Sequence, residues 1–503
     1  MAPASFFRVR SSSQLLTLTV AFTILATLVL PSQAPARSPN LILIFIDDLG
    51  YADIGPFGAT RYATPHLDRM AAEGMRFTNF EVSSAVCSAS RAGLLTGCYH
   101  QRISIFNALG PNATHGLHSQ ERTIAEMCRE KGYATACFGK WHLGHHPKFL
   151  PRQHGFDEYY GLPYSNDMWP YHPEAGTGPD GKTVRRAGYP NLPLIENDRV
   201  VDAEVTAEEQ SHLTKQYTER AVRFIERNQT RPFFLYLPHT MVHVPLFVSE
   251  AARGRSGAGT FADVVHEVDW SVGQVMDTVD RLGLREDTWV VFTSDNGPWL
   301  SYGNHAGSAY PLREGKGTSF EGGFRVPTLM RWPGVIPAGT TCDELASTID
   351  ILPTMAEAIQ ASPAPHPIDG HSLLPLMKAE PGAVSPHEYF CYFYATGELQ
   401  AIRDRRWKLF FPHASRSLGP RFGGRDGMPV AYSPLPIGPS LYDLSRDIRE
   451  SHNVHEQYPD VVERLSALAE QARAELGDSL TRRKGTGIRE HGQLLEGDDR
   501  LAW

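Results

Sequence analysis

Four short runs of the chain, residues 41–46, 134–138, 233–237 and 289–293, are apolar almost without a break, and each runs at once into charged, amide or imidazole side chains. The first reaches Asp47 and Asp48, the second Lys140 and His142, the third His239 and His243, and the fourth Asp295 and Asn296. Continuous apolar strands, unlike alternating ones, belong to parallel sheets buried on both faces. Ligands of such sheets sit beyond the carboxyl ends of the strands. The pattern therefore predicts four chemically loaded strand ends meeting in one crevice. Residues 123–131, 207–228 and 261–284 carry a helical pattern between the runs. The alternation predicts an α/β fold with a mixed, mostly parallel central sheet flanked by helices.

The texture changes near Ser385. Residues 389–394, 399–403 and 407–411 predict a small antiparallel sheet, and 460–476 a helix that covers one of its faces. The polar stretch after Gly477 predicts a frayed tail. Residues 171–193, rich in Gly, Pro and charge, read as a long surface loop over the crevice. The expected division is a leader over 1–36, a large domain over 37–385 and a smaller α+β subdomain over 386–503.

Length and composition sharpen this picture in three ways. A chain of 503 residues exceeds what one core usually serves, which supports the two-domain reading. The net charge of -8 argues against a nucleic-acid binder, whose affinity comes from a basic surface. An anionic ligand must then be met by a local cluster of cations. At the N-terminus, Arg8 and Arg10, the apolar stretch 15–30 and Ala34-Pro35-Ala36 have the layout of a cleaved secretory signal. The stretch is short against the roughly 17–25 residues of a membrane span, so export with no span left after cleavage is expected. The six cysteines at 87, 98, 128, 137, 342 and 391 show no zinc-like spacing. With Cys87 set aside, at most two disulfides can form. Asn112-Ala113-Thr114 and Asn228-Gln229-Thr230 are glycosylation acceptors in a cell that glycosylates.

Asp47, Asp48, Asp295 and Asn296 are oxygen donors from two strand ends, with no sulfur or imidazole in either pair. Such a set suits a hard cation, calcium or magnesium, rather than zinc. The run Cys87-Ser88-Ala89-Ser90-Arg91-Ala92-Gly93-Leu94-Leu95-Thr96-Gly97 adds a candidate nucleophile. Its Cys-to-Arg spacing of three residues is too short for a cysteine-phosphatase loop.

This run resembles the signature of the type I sulfatases, in which the cysteine is oxidised to formylglycine. Asp47-Asp48-Leu49-Gly50-Tyr51, Gly139-Lys140-Trp141-His142-Leu143-Gly144, 240–245, Ser294-Asp295-Asn296-Gly297 and 315–323 resemble further motifs of that family, in its order. Leu441-Tyr442-Asp443-Leu444 with Asn453-Val454 resembles its C-terminal domain. His154-Gly155-Phe156-Asp157 and the 161–167 run look most like the arylsulfatase A and N-acetylgalactosamine-6-sulfatase branch.

The resemblance implies an alkaline-phosphatase-like sheet and hydrolysis of an aryl or carbohydrate sulfate ester. Calcium, with magnesium as the alternative, would be held by Asp47, Asp48, Asp295, Asn296 and residue 87, and a maturation enzyme would make formylglycine from Cys87. Arg91 would neutralise and orient the aldehyde hydrate. Lys140 and Lys316 would grip sulfate oxygens, with Ser165 adding a hydrogen bond. His142 would be the base beside the hydrate, and His243 the acid for the leaving alcohol, with His239 as a spare. One hydroxyl of the hydrate would attack sulfur, giving a covalent sulfated intermediate. The other hydroxyl would lose its proton, and sulfate would leave as the carbonyl reforms. Two other readings stand beside this one: a phosphate or phosphonate ester hydrolase of the same superfamily, and a non-catalytic binder of sulfated glycans. An oligomer is compatible with all three.

Overall fold

The computed structural model describes residues 8–9, 38–178, 181 and 183–502. The leader read over 1–36, with its cleavage site, lies outside the described residues except for Arg8 and Val9. Among the described residues no helix is long and apolar enough to cross a membrane.

Ten strands form the main sheet: β1 (Asn40–Ile46), β2 (Met75–Phe77), β3 (Ala134–Phe138), β4 (Glu158–Gly161), β5 (Leu194–Glu196), β6 (Arg199–Asp202), β7 (Phe233–Pro238), β8 (Thr288–Ser294), β9 (Thr328–Arg331) and β10 (Thr340–Cys342). Their spatial order is β10-β2-β9-β8-β1-β7-β3-β4-β5-β6. The block β8-β1-β7-β3-β4 is parallel throughout, whereas β9, β5 and β6 join antiparallel. The four apolar runs of the sequence are thus β1, β3, β7 and β8, and they lie side by side. Their loaded ends open on the same edge of the sheet.

The reason lies in β1, whose seven residues are all buried. Leu41, Leu43 and Phe45 face one core layer, and Ile42, Ile44 and Ile46 face another. Burial of each such side chain contributes roughly 1.5–3 kcal/mol, so this strand is stable only at the centre of a sheet covered twice. One cover includes α1 (Pro65–Glu73), α4 (Ala207–Arg227) and α5 (Thr260–Arg281), which supply Leu67, Leu213, Phe224, Val268 and Val272. The other includes α2 (Cys87–Thr96) and α3 (Ile124–Glu130). Thr123 with Glu126 and Thr206 with Glu209 form capping boxes that start α3 and α4.

A second sheet, β11 (Phe390–Tyr394), β12 (Glu398–Arg403), β13 (Trp407–Phe410) and β14 (Ser440–Asp443), is antiparallel in sequence order. A helix over Pro459–Leu476 packs on β12 and β13. The stretch after Gly477 is tied down where fraying was expected. Gly492 and Gln493 pair with Gly116 and His115, and Arg489 clasps Glu121 at 2.7 and 2.8 Å. Polarity there serves ion pairs, which a hydropathy pattern does not reveal. All six cysteines are unbridged and buried, so neither of the two possible disulfides is formed.

His387, in the connection before β11, lies 2.8 Å from Asp350. Burial alone would lower its pKa, but the charges of Asp350 and Asp369 outweigh burial and raise it. A histidine with a raised folded-state pKa stabilises fully below its unfolded value and loses that contribution as pH rises through the folded one. Urea midpoints should therefore fall as pH rises above the ordinary histidine value of 6.5. His387→Gln should lack that component of the fall. An equal slope in both proteins would remove His387 as its source.

Candidate active site

The strand ends converge on the first residue of α2. Cys87 opens that helix and is 1% exposed. A helix N-terminus carries partial positive charge and favours an anion there. Lys316 Nζ approaches Cys87 Sγ at 3.3 Å, and Sγ lies 3.5 Å from Asp47 Oδ1. Burial pushes the thiol pKa up, against the pull of Lys140 and Lys316. An unmodified thiol in this setting is a poor nucleophile near neutral pH.

Three carboxylates and three cations surround it, all buried. Asp47, just past β1, accepts from Lys140 Nζ at 2.5 Å. Asp48 accepts from Lys316 Nζ at 2.7 and 2.9 Å and from Asn296 Nδ2 at 2.7 Å. Asp295, just past β8, accepts from Arg91 Nε at 3.0 Å and Nη2 at 2.8 Å, and from the Asp48 amide at 3.1 Å. Burial would raise Asp47, yet Lys140, His243 and Arg91 together hold it well below the usual carboxylate range. Asp295 goes the other way: burial and then the Asp47 charge push it up to about 7. Asn296 Oδ1 is buried without a hydrogen-bond partner, which is costly unless a ligand uses it. An oxygen-rich set of three carboxylates with an unused amide oxygen fits a hard divalent cation.

One ligand atom each of Asp47, Asp48, Cys87 and His243 lies within 4.8 Å of the others. This grouping includes His243, which the sequence placed on the leaving group, and omits Asp295, which it placed on the metal. Each Asp295 oxygen already accepts, one from Arg91 and one from Asp48 N–H, though each keeps a further lone pair.

Two residues take left-handed backbone angles here, Asp48 at φ 62° and His142 at φ 64°. Such angles are strained for non-glycine residues and persist where the surroundings enforce them. Gly139, at φ 139°, precedes Lys140. A Cβ on it would lie 1.9 Å from the Pro238 carbonyl oxygen, so only glycine lets the chain turn Lys140 inward.

The imidazoles are held in defined states. His142 Nε2 donates to the Leu109 carbonyl at 3.0 Å, leaving Nδ1 bare and without a partner. Burial, then the charge of Lys140, lowers its pKa well below the ordinary value, so the ring is neutral. His243 Nδ1 donates to the Val244 carbonyl at 2.6 Å, and its Nε2 sits 3.5 Å from Asp48. His239, the spare, turns away: its Nε2 lies 3.1 Å from Ser271 Oγ on α5. Arg91 spends its hydrogen bonds on Asp295 and, at 2.9 Å, on the Lys140 carbonyl, so it reaches residue 87 only through charge. Ser165 is buried on the loop after β4.

Two neighbours were not singled out from the sequence. Trp299 lies under Lys316 Nζ at 4.6 Å and beside His243 with ring centres 5.6 Å apart; its place three residues after Asn296 was the available signal. Asp167 is half-buried, and its pKa is lowered, because the charge of His243 above all outweighs desolvation. It stands within the 161–167 run already noted.

The sulfatase family pattern matches residues 39–361, and that of the C-terminal region of aryl-sulfatase matches 385–486. Arylsulfatase A of Bos taurus is 38% identical over 450 residues, covering 85% of each chain. N-acetylgalactosamine-6-sulfatase of Canis lupus familiaris is 35% identical over 470 residues, covering 86% of each. Among solved structures, Ps i-CgsB in complex with k-i-k-neocarrahexaose superposes with a TM-score of 0.69 at 28% identity, covering 86% of this chain and 92% of that one.

Proposed function

The chain belongs to the sulfatase family and is a sulfuric ester hydrolase, and from that premise we propose that residue 87 is the reacting residue, served by Lys140, Lys316, His142 and His243. The observation that carries this reading is the meeting of three buried cations and three buried carboxylates at the first residue of α2. Formylglycine at 87, when present, supplies a hydrated aldehyde whose hydroxyls attack sulfur and later release sulfate. Asp47, Asp48, Asp295, Asn296 and residue 87 would hold calcium, which when bound supplies positive charge that acidifies a coordinated hydroxyl and offsets the sulfate charge.

The remaining roles belong to side chains. Lys140 and Lys316 are point charges placed for non-bridging sulfate oxygens, and Ser165 adds a hydroxyl to that set. Trp299 fixes the direction of the Lys316 ammonium. Arg91 is a positioning residue, holding the Lys140 backbone and Asp295. His243 Nδ1 keeps its proton on the Val244 carbonyl, so Nε2 is the atom that gives a proton to the leaving alcohol. His142 Nδ1, bare and neutral, receives the proton from residue 87. The substrate is a carbohydrate sulfate, a reading supported by the oligosaccharide held by the Ps i-CgsB relative. We also propose that the chain is exported by the 1–36 leader, matured by a formylglycine-generating enzyme, and divided functionally at 385/386.

The test is a paired assay of 4-nitrophenyl sulfate and 4-nitrophenyl phosphate. Sulfate should be turned over faster, and treatment with a chelator should lower both the melting temperature and the rate. Calcium should restore both better than magnesium. Faster phosphate turnover would overturn the sulfatase reading of the site, and indifference to chelation would remove the cation.

A further inference from the structure

Beside the catalytic crevice lies a second feature with its own chemistry, a groove of about 610 Å³ lined by Asn112, His146, Arg185, Arg186, Tyr189 and Arg500, among others. Three arginines meet there and, among the described residues, no carboxylate lines it, on a chain whose net charge is -8. Among the described residues, none of the three guanidinium groups forms an ion pair with a carboxylate. Arg185 donates to Asn191 Oδ1 at 2.8 Å and lies over the Tyr171 ring. Arg186 stacks on Tyr189 with its guanidinium carbon 4.3 Å from the ring centre. Arg500 is exposed and is held in place by its neighbour, because the Leu501 amide donates to His146 Nδ1 at 3.2 Å. That bond requires an unprotonated Nδ1, and burial together with the charge of Arg500 lowers the His146 pKa.

One chain segment runs from the neighbours of the catalytic residues to the groove. Pro111 and Asn112 line it, and they extend a segment whose Leu109 amide donates to Ser88 Oγ at 2.9 Å, next to Cys87, and whose Leu109 carbonyl holds His142. An adjoining hollow shares Pro111, Asn112 and Tyr189 with the groove and is lined in addition by Leu109 and Met168. On the other side, Arg186 Nη1 reaches the Asp167 carbonyl. Guanidinium groups without carboxylate partners, some stacked on aromatic rings, are suited to bidentate capture of planar or tetrahedral oxyanions. A small aryl sulfate bound at residue 87 has nothing to place there.

We infer that this groove is a subsite for a second anionic group, a sulfate or a carboxylate, on the same sugar chain whose sulfate ester lies at residue 87. The inference rests on the sulfatase reading and narrows the substrate class to polyanionic glycans. Recognition of the second charge raises affinity without touching the chemistry at sulfur, so it acts on KM rather than on kcat.

The experiment is calorimetric titration with two probes, a heparin-derived tetrasaccharide and inorganic sulfate, on the full-length protein and on Arg185→Gln/Arg500→Gln. The double substitution should raise the tetrasaccharide Kd about tenfold, as expected for two screened ion pairs, and leave the inorganic sulfate Kd unchanged. Arg253→Gln/Arg255→Gln, on another part of the surface, should change neither. An unchanged tetrasaccharide Kd in the first pair overturns the subsite, and so does an equal loss in the second pair. Binding is read without turnover, so a chain that binds the tetrasaccharide through these arginines yet hydrolyses no aryl sulfate would condemn the catalytic reading and not the groove.

Discussion

Cys87→Ala is expected to lower aryl sulfate turnover by on the order of 10⁴-fold or more, the scale on which removal of a nucleophile acts. Its fold should stay intact. The Cβ remains, and among the described residues the hydrogen bonds given up are those of Sγ with Lys316 and Asp47. The loss is this large because no neighbouring group is a substitute: Lys140 and Lys316 are tied to carboxylates and His142 has only its own bare nitrogen. Wild-type protein in which mass spectrometry finds residue 87 still a cysteine should be nearly as inactive, since burial keeps the thiol protonated. More than about 1% residual activity in the alanine variant would mean that residue 87 is not the nucleophile.

The largest effect on stability is expected away from the reacting atoms. Lys408 on β13 lies 3.0 Å from both Glu321 and Glu450, with all three side chains fully buried. Arg403 on β12 adds contacts to Glu81 at 3.0 Å and Glu321 at 3.2 Å, and Tyr392 donates to Glu321 at 2.8 Å. Burial opposes ionisation of Glu321, but Lys408 and Arg403 overcome it and hold its pKa low. Lys408→Met removes one of these cations and leaves carboxylates buried without compensation, which costs about 3–5 kcal/mol. Urea denaturation measures it. A loss below about 1 kcal/mol would show that the carboxylates simply take up protons.

That substitution should also weaken sulfate binding, because Glu321 opens the short α6 helix (Glu321–Phe324) five residues beyond Lys316. A separate two-stranded ribbon, His413–Ser417 paired with Ser433–Ile437, braces this loop a second time: Arg416 donates to the Lys316 carbonyl at 2.8 Å. The C-terminal region is therefore part of what aims Lys316.

The sequence made the centre of the sheet legible because β1, β3, β7 and β8 are buried on both faces and so are apolar almost without a break. The flanking strands β2, β9 and β10 are three or four residues long, too short for a period to show, and they were not read. The charged parts of the site were legible through motifs and strand ends. Their pairing was not: that Arg91 spends its donors on Asp295, that Leu109 sets the tautomer of His142, and that His239 faces Ser271 all depend on contacts between distant segments. The tail after Gly477 looked frayed for the same reason, since Arg489 and Glu121 are 368 positions apart.

The order of the central strands carries a cost in time. β1 is complete early, but its partner strands come much later: Asn40 bonds across to β7 at a separation of 193 positions, and Ile46 to Ser294 of β8 at 248. At ribosomal rates of about 5–20 residues per second, β1 waits on the order of ten to fifty seconds for its neighbours. For that interval a strand whose last six residues are all apolar lies unpaired on the nascent chain, a target for chaperones and for other copies of itself. Residue 87 is sealed in the finished protein, so the conversion proposed for it would have to fall within the same interval. Substitutions that hasten closure would shorten both exposures at once, so quicker folding would trade aggregation for a larger share of chains whose residue 87 was never converted.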